Sequence, residues 1–234
     1  MTRRTNKSPT ALVRAEWKRR VEAEYRSAAR TQHLTLWLTQ IAASPDLIRA
    51  GLRIADDEMV HAEMSHEVFC AAGGQGGPSL TRESLELPRR ESEPLEHDVA
   101  RAGVEIFCLG ETVAVPLFKE LRAECTVAVA RRALDRILKD EVRHRAFGWD
   151  LLGWLMEGPM AESLRSVIEA DLASWFASLR SAYAPPNDNE VTPDERAWGL
   201  MPIAIYRRCV DKTLVRDYIP RFAKLGFDAR AAWD

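Results

Sequence analysis

Two copies of the pattern Asp-Glu-x-x-His are the part of this sequence best suited to chemistry. They consist of Asp57, Glu58, His61, Asp140, Glu141 and His144. Residues three apart on a helix share a face, with Cβ atoms about 5–6 Å apart. Each Glu–His pair can therefore bind one metal ion, and imidazole with carboxylate, without thiolate, suits iron or manganese. The two motifs predict a metal site built from two helices.

The surroundings of both motifs indicate that their side chains point inward. Ile54 and Val68 share a helix face with the first Glu–His pair, and Ile137 and Leu151 share a face with the second. A buried carboxylate is costly unless it is neutralised or takes up a proton. A bound cation removes that cost, so burial and metal binding are predicted together.

Two further carboxylates are predicted to complete the site. Glu111 lies on the apolar face of the third predicted helix, and Glu24 lies on that of the first, one turn after Val21. The full predicted ligand set is Glu24, Glu58, His61, Glu111, Glu141 and His144. The negative charges of the four carboxylates would be cancelled by two divalent cations.

The first helix also offers an alternative to a ligand role for Glu24. Arg20 lies one turn before Glu24 and could pair with it on a solvated face. Gln32 and His33 are then the rival donors from the same helix.

The aspartates that precede the two ligand glutamates are predicted to support the histidines. A ligating His usually donates its other N–H to a carboxylate or a carbonyl. We expect Asp140 to support His61 and Asp57 to support His144, so that each aspartate acts across the helix pair.

Helical spacing dominates the chain, and the turn patterns typical of β-hairpins are absent. Long helices are predicted at about residues 10–43, 45–72, 95–124, 127–156 and 160–183, with one or two more ending near residue 227. Two helix pairs joined by one long connection predict an all-α four-helix bundle with one long crossover. The predicted organisation is a disordered tail at 1–9 and one domain at 10–234, with the bundle at about 10–157 and extra helices at about 159–227.

Composition excludes several classes of function. The net charge is −2, from 33 basic and 35 acidic residues, so no global field favours nucleic acid or an anionic membrane. No apolar run approaches the ~20 residues needed to span a bilayer, and the first ten residues lack the apolar segment of a secretory signal. A cytoplasmic protein is therefore expected. The four cysteines form no C-x-x-C pair and are interpreted as reduced thiols.

The third predicted helix contains a proline close to the site. Pro116 follows Glu111 by five residues and has no N–H for the carbonyl of Thr112, so it should kink the helix. Such irregularities often lie at functional sites. We expect a substrate cavity beside Cys108, Thr112 and Val115.

The paired sequences DEMVH and DEVRH, with Glu111 upstream of the second, resemble the ferritin-like di-iron carboxylate proteins over about residues 17–156. That superfamily includes methane monooxygenase hydroxylase, acyl-carrier-protein desaturases, aldehyde-deformylating oxygenase, para-aminobenzoate N-oxygenase and the ribonucleotide reductase small subunit. The resemblance implies a ferritin-like fold and a cofactor of two iron ions, or of manganese with iron. The implied activity is a dioxygen-dependent oxidation of a small organic substrate: hydroxylation, N-oxygenation, desaturation or C–C cleavage.

The same resemblance implies a role for each ligand. Glu58 and Glu141 are expected as bridging or flexible ligands, Glu24 and Glu111 as terminal ligands, and the histidines as one nitrogen ligand per iron. Glu58, Glu141 and Glu111 are the carboxylates expected to take part in catalysis. The expected partners are the substrate, dioxygen and an external reductase or ferredoxin, and a homodimer is compatible with this interpretation.

Departures from the superfamily narrow the choice. Ser65 stands where the tyrosyl-radical reductases carry Tyr, and Ile137 stands where the N-oxygenases carry an extra His. The Cys-rich module of rubrerythrins is missing. The alternatives left open are a ferroxidase, peroxide reductase or iron-handling protein, and a helical interaction protein in which the motifs are accidental.

Overall fold

The described chain is helical throughout. The computed structural model describes residues 9–186 and 189–234, and within these ranges it contains helices and no strands. The prediction of an all-α protein is therefore confirmed for this part of the chain. Apart from Pro9, the predicted disordered tail lies outside the described residues.

The first two long helices form an antiparallel pair with extensive contact along their length. Helix α1 (Ala11–Gln40) begins where the Thr10 side chain accepts a hydrogen bond from the Val13 amide. It ends before Ala42, whose φ of 54° lies in the left-handed region that ordinary residues rarely adopt. Helix α2 (Pro45–Ala71) follows and packs against α1. The prediction that α1 reaches residue 43 was therefore three residues too long.

A long connection links this pair to the third long helix. The predicted loop at residues 73–94 contains one short helix, α3 (Arg82–Leu85), which contacts α1. The loop is held to α1 by His33, whose Nδ1 accepts a hydrogen bond from the Leu87 amide at 3.1 Å. His33 is therefore engaged with the crossover loop.

The third long helix changes its geometry in the middle. It consists of α4 (Leu95–Ala102), a π-helical segment π1 (Gly103–Glu111) and α5 (Thr112–Ala123). In a π-helix the hydrogen bonds run from residue i to i+5, so each turn holds more residues than in an α-helix. The irregularity that the structure shows is this π-helical segment, which ends at Glu111, whereas the sequence predicts a kink at Pro116, which lies inside α5. Faces assigned with regular α-helical spacing are therefore not valid along this stretch.

The fourth long helix completes the surroundings of the site. Helix α6 (Ala128–Glu157) contacts α2 on one side and π1 and α5 on the other, while α4 contacts α1. Gly148 allows the close approach of α6 to π1, because a Cβ there would lie 2.6 Å from the carbonyl carbon of Phe107. Four long helical segments thus meet around one interior region.

The C-terminal third packs over the third and fourth long helices. Helix α7 (Ala161–Tyr183) contacts α4, π1 and α6. The remaining elements are α8 (Pro193–Ala197), α9 (Ile203–Thr213), π2 (Leu214–Tyr218), α10 (Ile219–Lys224) and α11 (Ala229–Trp233). Helical structure therefore continues past the predicted end near residue 227. Tyr218 joins the two π-helical segments, since its hydroxyl donates to the Leu109 carbonyl at 2.6 Å.

A membrane-spanning helix would need a longer apolar stretch than any helix of the described chain provides.

Candidate metal centre

The side chains predicted as metal ligands all lie together in the interior, and none is more than 8% exposed. They come from α1, α2, π1 and α6, and they are Glu24, Glu58, His61, Glu111, Glu141 and His144. The two histidines and Glu58 are the most deeply buried, at 0%, 0% and 1% exposure. The structure therefore brings residues that are far apart in sequence into one cluster.

Glu58 lies between the two histidines. Its Oε2 is 3.4 Å from Nδ1 of His61, which is on the same helix. Its Oε1 is 3.3 Å from Nδ1 of His144, which is on α6. One carboxylate therefore presents a different oxygen to each imidazole, which is the placement that a ligand bridging two metal ions requires.

The ligand atoms fall into two groups, each able to hold a metal ion. Glu24, His61 and Glu141 form one group, and Glu58, Glu111 and His144 form the other. Within each group the ligand atoms lie within 4.8 Å of one another. Each group contains one histidine and two carboxylates, and the Glu of each motif is grouped with the His of the other.

The other nitrogen of each histidine faces an aspartate from the opposite helix. His61 Nε2 is 3.2 Å from Oδ2 of Asp140, and His144 Nε2 is 3.5 Å from Oδ2 of Asp57. These are the cross-helix contacts that the sequence predicts. They leave both Nδ1 atoms directed at the glutamates.

Two arginines of α6 hold the aspartates in place. Arg143 Nη2 donates to Asp57 at 2.7 Å and to Asp140 at 2.9 Å. Arg136 donates to the same pair, through Nε to Asp140 and through Nη2 to Asp57 at 3.1 Å. Sequence reasoning missed Arg136, although its position one turn before Asp140 is the signal that could have found it.

Burial and mutual repulsion raise the pKa of most of the glutamates. Burial raises the pKa of Glu24, Glu111 and Glu141, and the charge of Glu58 raises each of them further. Burial also acts on Glu58, but contact with the two histidines outweighs it and lowers the pKa of Glu58. The same contact raises the pKa of His144 to about 9, against the effect of burial. Metal binding to such a cluster is linked to proton release, because a ligating carboxylate or imidazole must give up its proton.

Unpaired polar atoms in the cluster fit a bound cation. Among the described residues, the buried atoms without a hydrogen-bond partner include Glu58 Oε2, Glu141 Oε2, His61 Nδ1 and His144 Nδ1. Buried polar atoms are rarely left unpaired in native proteins. All four atoms belong to predicted ligands and are of the types that iron and manganese accept. The Glu–His cluster can therefore hold a metal ion.

A cavity of about 740 Å³ opens onto the carboxylate side of the cluster. All four glutamates line it, together with residues of α1, the third long helix and α7, and with Tyr206 of α9. The histidines do not line it, because they are fully buried on the side of the aspartates. The cluster therefore has one face open to a cavity and one face closed by Asp57 and Asp140.

The predicted cavity lining on the third helix was wrong. Cys108 Sγ donates to the Gly148 carbonyl, and Thr112 accepts a hydrogen bond from the Trp149 indole at 3.0 Å, so both face α6. They and Val115 are absent from the lining, which on this helix includes Leu109, Gly110 and Ala114. Cys108 lies within the π-helical segment, where regular α-helical spacing does not assign the faces.

The alternatives to a ligand role for Glu24 do not match the structure. Arg20 donates to Glu16 at 3.1 Å rather than to Glu24. Gln32 is exposed and His33 is bonded to the crossover loop. Glu24 is the α1 side chain that approaches His61, with Oε2 at 3.9 Å from Nδ1.

Comparison of the chain with protein-family models, with curated proteins and with solved structures found no match.

Proposed function

We propose that this chain is a dioxygen-activating di-iron oxidoreductase with a ferritin-like four-helix architecture, acting on a small organic substrate. The observation that supports it best is the pair of ligand groups around Glu58, one face of which borders a cavity. Two groups of one histidine and two carboxylates suit a pair of iron ions, or manganese with iron. The two cations would offset the charges of the four glutamates in a region shielded from water.

Each residue has a distinct task in this proposal. Glu24, His61 and Glu141 would hold one metal ion, and Glu58, Glu111 and His144 would hold the other. By the resemblance, Glu58 and Glu141 would be the ligands shared between the two ions. When bound, the metal pair supplies the dioxygen chemistry that no protein side chain can perform. Asp140 and Asp57 fix the orientation of the imidazoles, and Arg136 and Arg143 fix the aspartates.

The cavity gives the two faces of the cluster different functions. The substrate and dioxygen approach from the glutamate side, which borders the cavity. The histidine side is closed and rigid, because each imidazole is held between a glutamate and an aspartate. Electrons come from an external reductase or ferredoxin in this proposal.

Iron handling without an organic substrate is the alternative, as in a ferroxidase or a storage protein. The cavity favours the organic substrate, since apolar side chains such as Ala114, Leu117 and Leu179 line much of its wall. Size-exclusion chromatography distinguishes the two, because the enzyme is expected as a monomer or dimer and a storage protein as a large hollow assembly.

Metal analysis and dioxygen uptake test the proposal. The protein is expressed with added iron and manganese, its metal content is measured by mass spectrometry, and anomalous scattering locates the ions. Two metal ions per chain at the Glu–His cluster, with dioxygen uptake on addition of a chemical reductant, are expected. Glu63→Gln, at an exposed position of α2, is the matched control and should leave both unchanged. Failure to bind either metal would instead favour a helical interaction protein.

A further inference from the structure

The wall of the cavity contains two arginines of α1 close to the cluster. Arg26 and Arg30 follow the ligand Glu24 by two and six residues, and both line the cavity. Four residues apart, they lie on the same face of the helix. Ser27, between them, donates to Glu58 Oε1 at 3.0 Å, which ties this stretch of α1 to the cluster.

These two arginines differ from the other arginines of the cavity, all of which have acidic partners. Arg19 and Arg20 donate hydrogen bonds to Glu16. Arg90 pairs with Glu93 of the crossover loop, and Arg101 pairs with acidic residues of α4 and α7. Within residues 9–186 and 189–234, neither Arg26 nor Arg30 has a hydrogen-bond acceptor or an ion-pair partner. Two adjacent positive charges therefore remain available.

Arg30 is the more strongly desolvated of the two. Its Nε is buried and has no hydrogen-bond partner. Burial lowers the pKa of Arg30, and the nearby charge of Arg26 lowers it further, while the charge of Glu105 acts in the opposite direction. A buried guanidinium donor without an acceptor is costly, and an incoming anion would relieve that cost.

Much of the rest of the cavity wall is apolar. Leu109, Ala114 and Leu179 line it, and Glu111 lies beside Gly110 on the same wall. Arg30 is six residues from Glu24, about 9 Å along the axis of α1. A bound molecule could thus hold a charged end at the arginines and an uncharged part near the glutamates.

We propose that Arg26 and Arg30 bind the oxyanion headgroup, a carboxylate or a phosphate, of an organic substrate whose apolar body extends toward Glu111 and Ala114. The planar guanidinium fork matches both headgroups. The assignment of this molecule as substrate rests on the proposed function, whereas binding of the anion does not. The reacting carbon then lies several bonds from the headgroup, because Arg30 is about 9 Å from Glu24 along the axis of α1.

Calorimetric titration with octanoate, octyl phosphate and octanol tests this proposal. Wild-type protein should bind octanoate or octyl phosphate more tightly than octanol, and the tighter of the two anions identifies the headgroup. Arg30→Gln and Arg26→Gln should each weaken binding of that anion about 10–100-fold, the loss typical of a hydrogen bond to a charged group. Arg49→Gln, on an exposed arginine of α2 outside the cavity, should leave the affinity unchanged.

Metal-free and metal-loaded protein are both titrated, because a carboxylate could also bind a metal ion directly. An effect of Arg30→Gln that persists in metal-free protein supports the arginine site. The arginine site would be overturned if octanol and both anions bound with equal affinity, or if no anion bound. It would also be overturned if wild type and both glutamine variants bound the anion equally well. Should Arg30→Gln fail to fold, as judged by circular dichroism, Arg26→Gln decides the question. If the wild-type protein bound the anion but no metal, the proposed function alone would be refuted. If it bound metal but no anion, this inference alone would be refuted.

Discussion

Oε1 of Glu58 lies 3.3 Å from Nδ1 of His144, although the two residues belong to different motifs on different helices. The other oxygen of Glu58 is directed at His61, so a single carboxylate contacts both imidazoles. Both predicted metal positions therefore depend on the side chain of Glu58.

Replacing Glu58 by Gln should therefore weaken both metal positions at once. The amide keeps the size of the side chain but removes the negative charge and one oxygen ligand. We expect metal content to fall to one ion per chain or fewer, measured by mass spectrometry after dialysis. Glu63→Gln serves as the control. A variant that retained the metal content of the wild type would contradict the bridging position of Glu58.

Replacing Asp140 by Asn should loosen metal binding without removing a ligand. Asp140 lies 3.2 Å from His61 Nε2, and loss of a carboxylate that supports a ligating histidine typically costs about 10–100-fold in metal affinity or activity. Asp57→Asn should act in the same way through His144. Competition with a chromophoric chelator measures the affinity.

Asp46→Asn is the control for these two variants, because Asp46 is exposed at the start of α2 and pairs only with Arg49. Equal metal affinity in Asp140→Asn and Asp46→Asn would show that the contact with His61 has no influence on the metal.

Glu93 should make the stability of the protein depend on pH. A hydrogen bond from Arg101, followed by one involving His97, lowers the pKa of Glu93 from 4.5 to about 2. Because the pKa is lower in the folded protein, this interaction stabilises the fold fully above about pH 4.5, and the effect is lost as the pH falls toward 2. Glu93→Gln should lower the melting temperature at pH 7, and its difference from wild type should shrink below pH 4.5.

Glu91→Gln is the control for this prediction, since Glu91 is exposed two residues away. A difference between wild type and Glu93→Gln that stayed constant from pH 7 to pH 3 would mean that the charge of Glu93 does not stabilise the fold. Arg101 also lines the cavity, so the Glu93–Arg101 pair lies near the proposed binding site.

The two Glu–His pairs could be predicted because the face that each pair shares depends on short-range helix geometry. Glu58 with His61, and Glu141 with His144, share a face in any regular α-helix. Their position within apolar stripes then requires them to lie inward. The contact of Asp140 with His61 follows from the same geometry, once the two motifs face each other.

The cavity could not be predicted because it depends on features without a sequence signal. The π-helical geometry of residues 103–111 leaves no recognisable pattern, and Cys108 and Thr112 both contact α6. Part of the wall also comes from Trp175 and Tyr183 of α7, whose packing over the cluster depends on tertiary contacts far apart in sequence. The same applies to the free guanidinium groups of Arg26 and Arg30.

Two glycines of α6 should respond in opposite directions to substitution by Ala. A Cβ at Gly148 would lie 2.6 Å from the Phe107 carbonyl carbon and 2.8 Å from the Cys108 amide nitrogen. These are backbone atoms of the π-helical segment that carries Glu111, so the added Cβ can be accommodated only if that segment is displaced. Gly148→Ala should therefore destabilise the fold by roughly 1–3 kcal/mol, the usual cost of overpacking, and weaken metal binding.

Gly153 lies on the same helix, and a Cβ there would meet no atom within 4 Å. Gly153→Ala should stabilise the fold by about 0.5–1 kcal/mol, because Ala loses less conformational entropy than Gly in a helix, and leave the metal content unchanged. Urea unfolding of both variants measures the free energies. If Gly148→Ala proved as stable as Gly153→Ala and kept its metal, the close approach of α6 to the third helix would not be what positions Glu111.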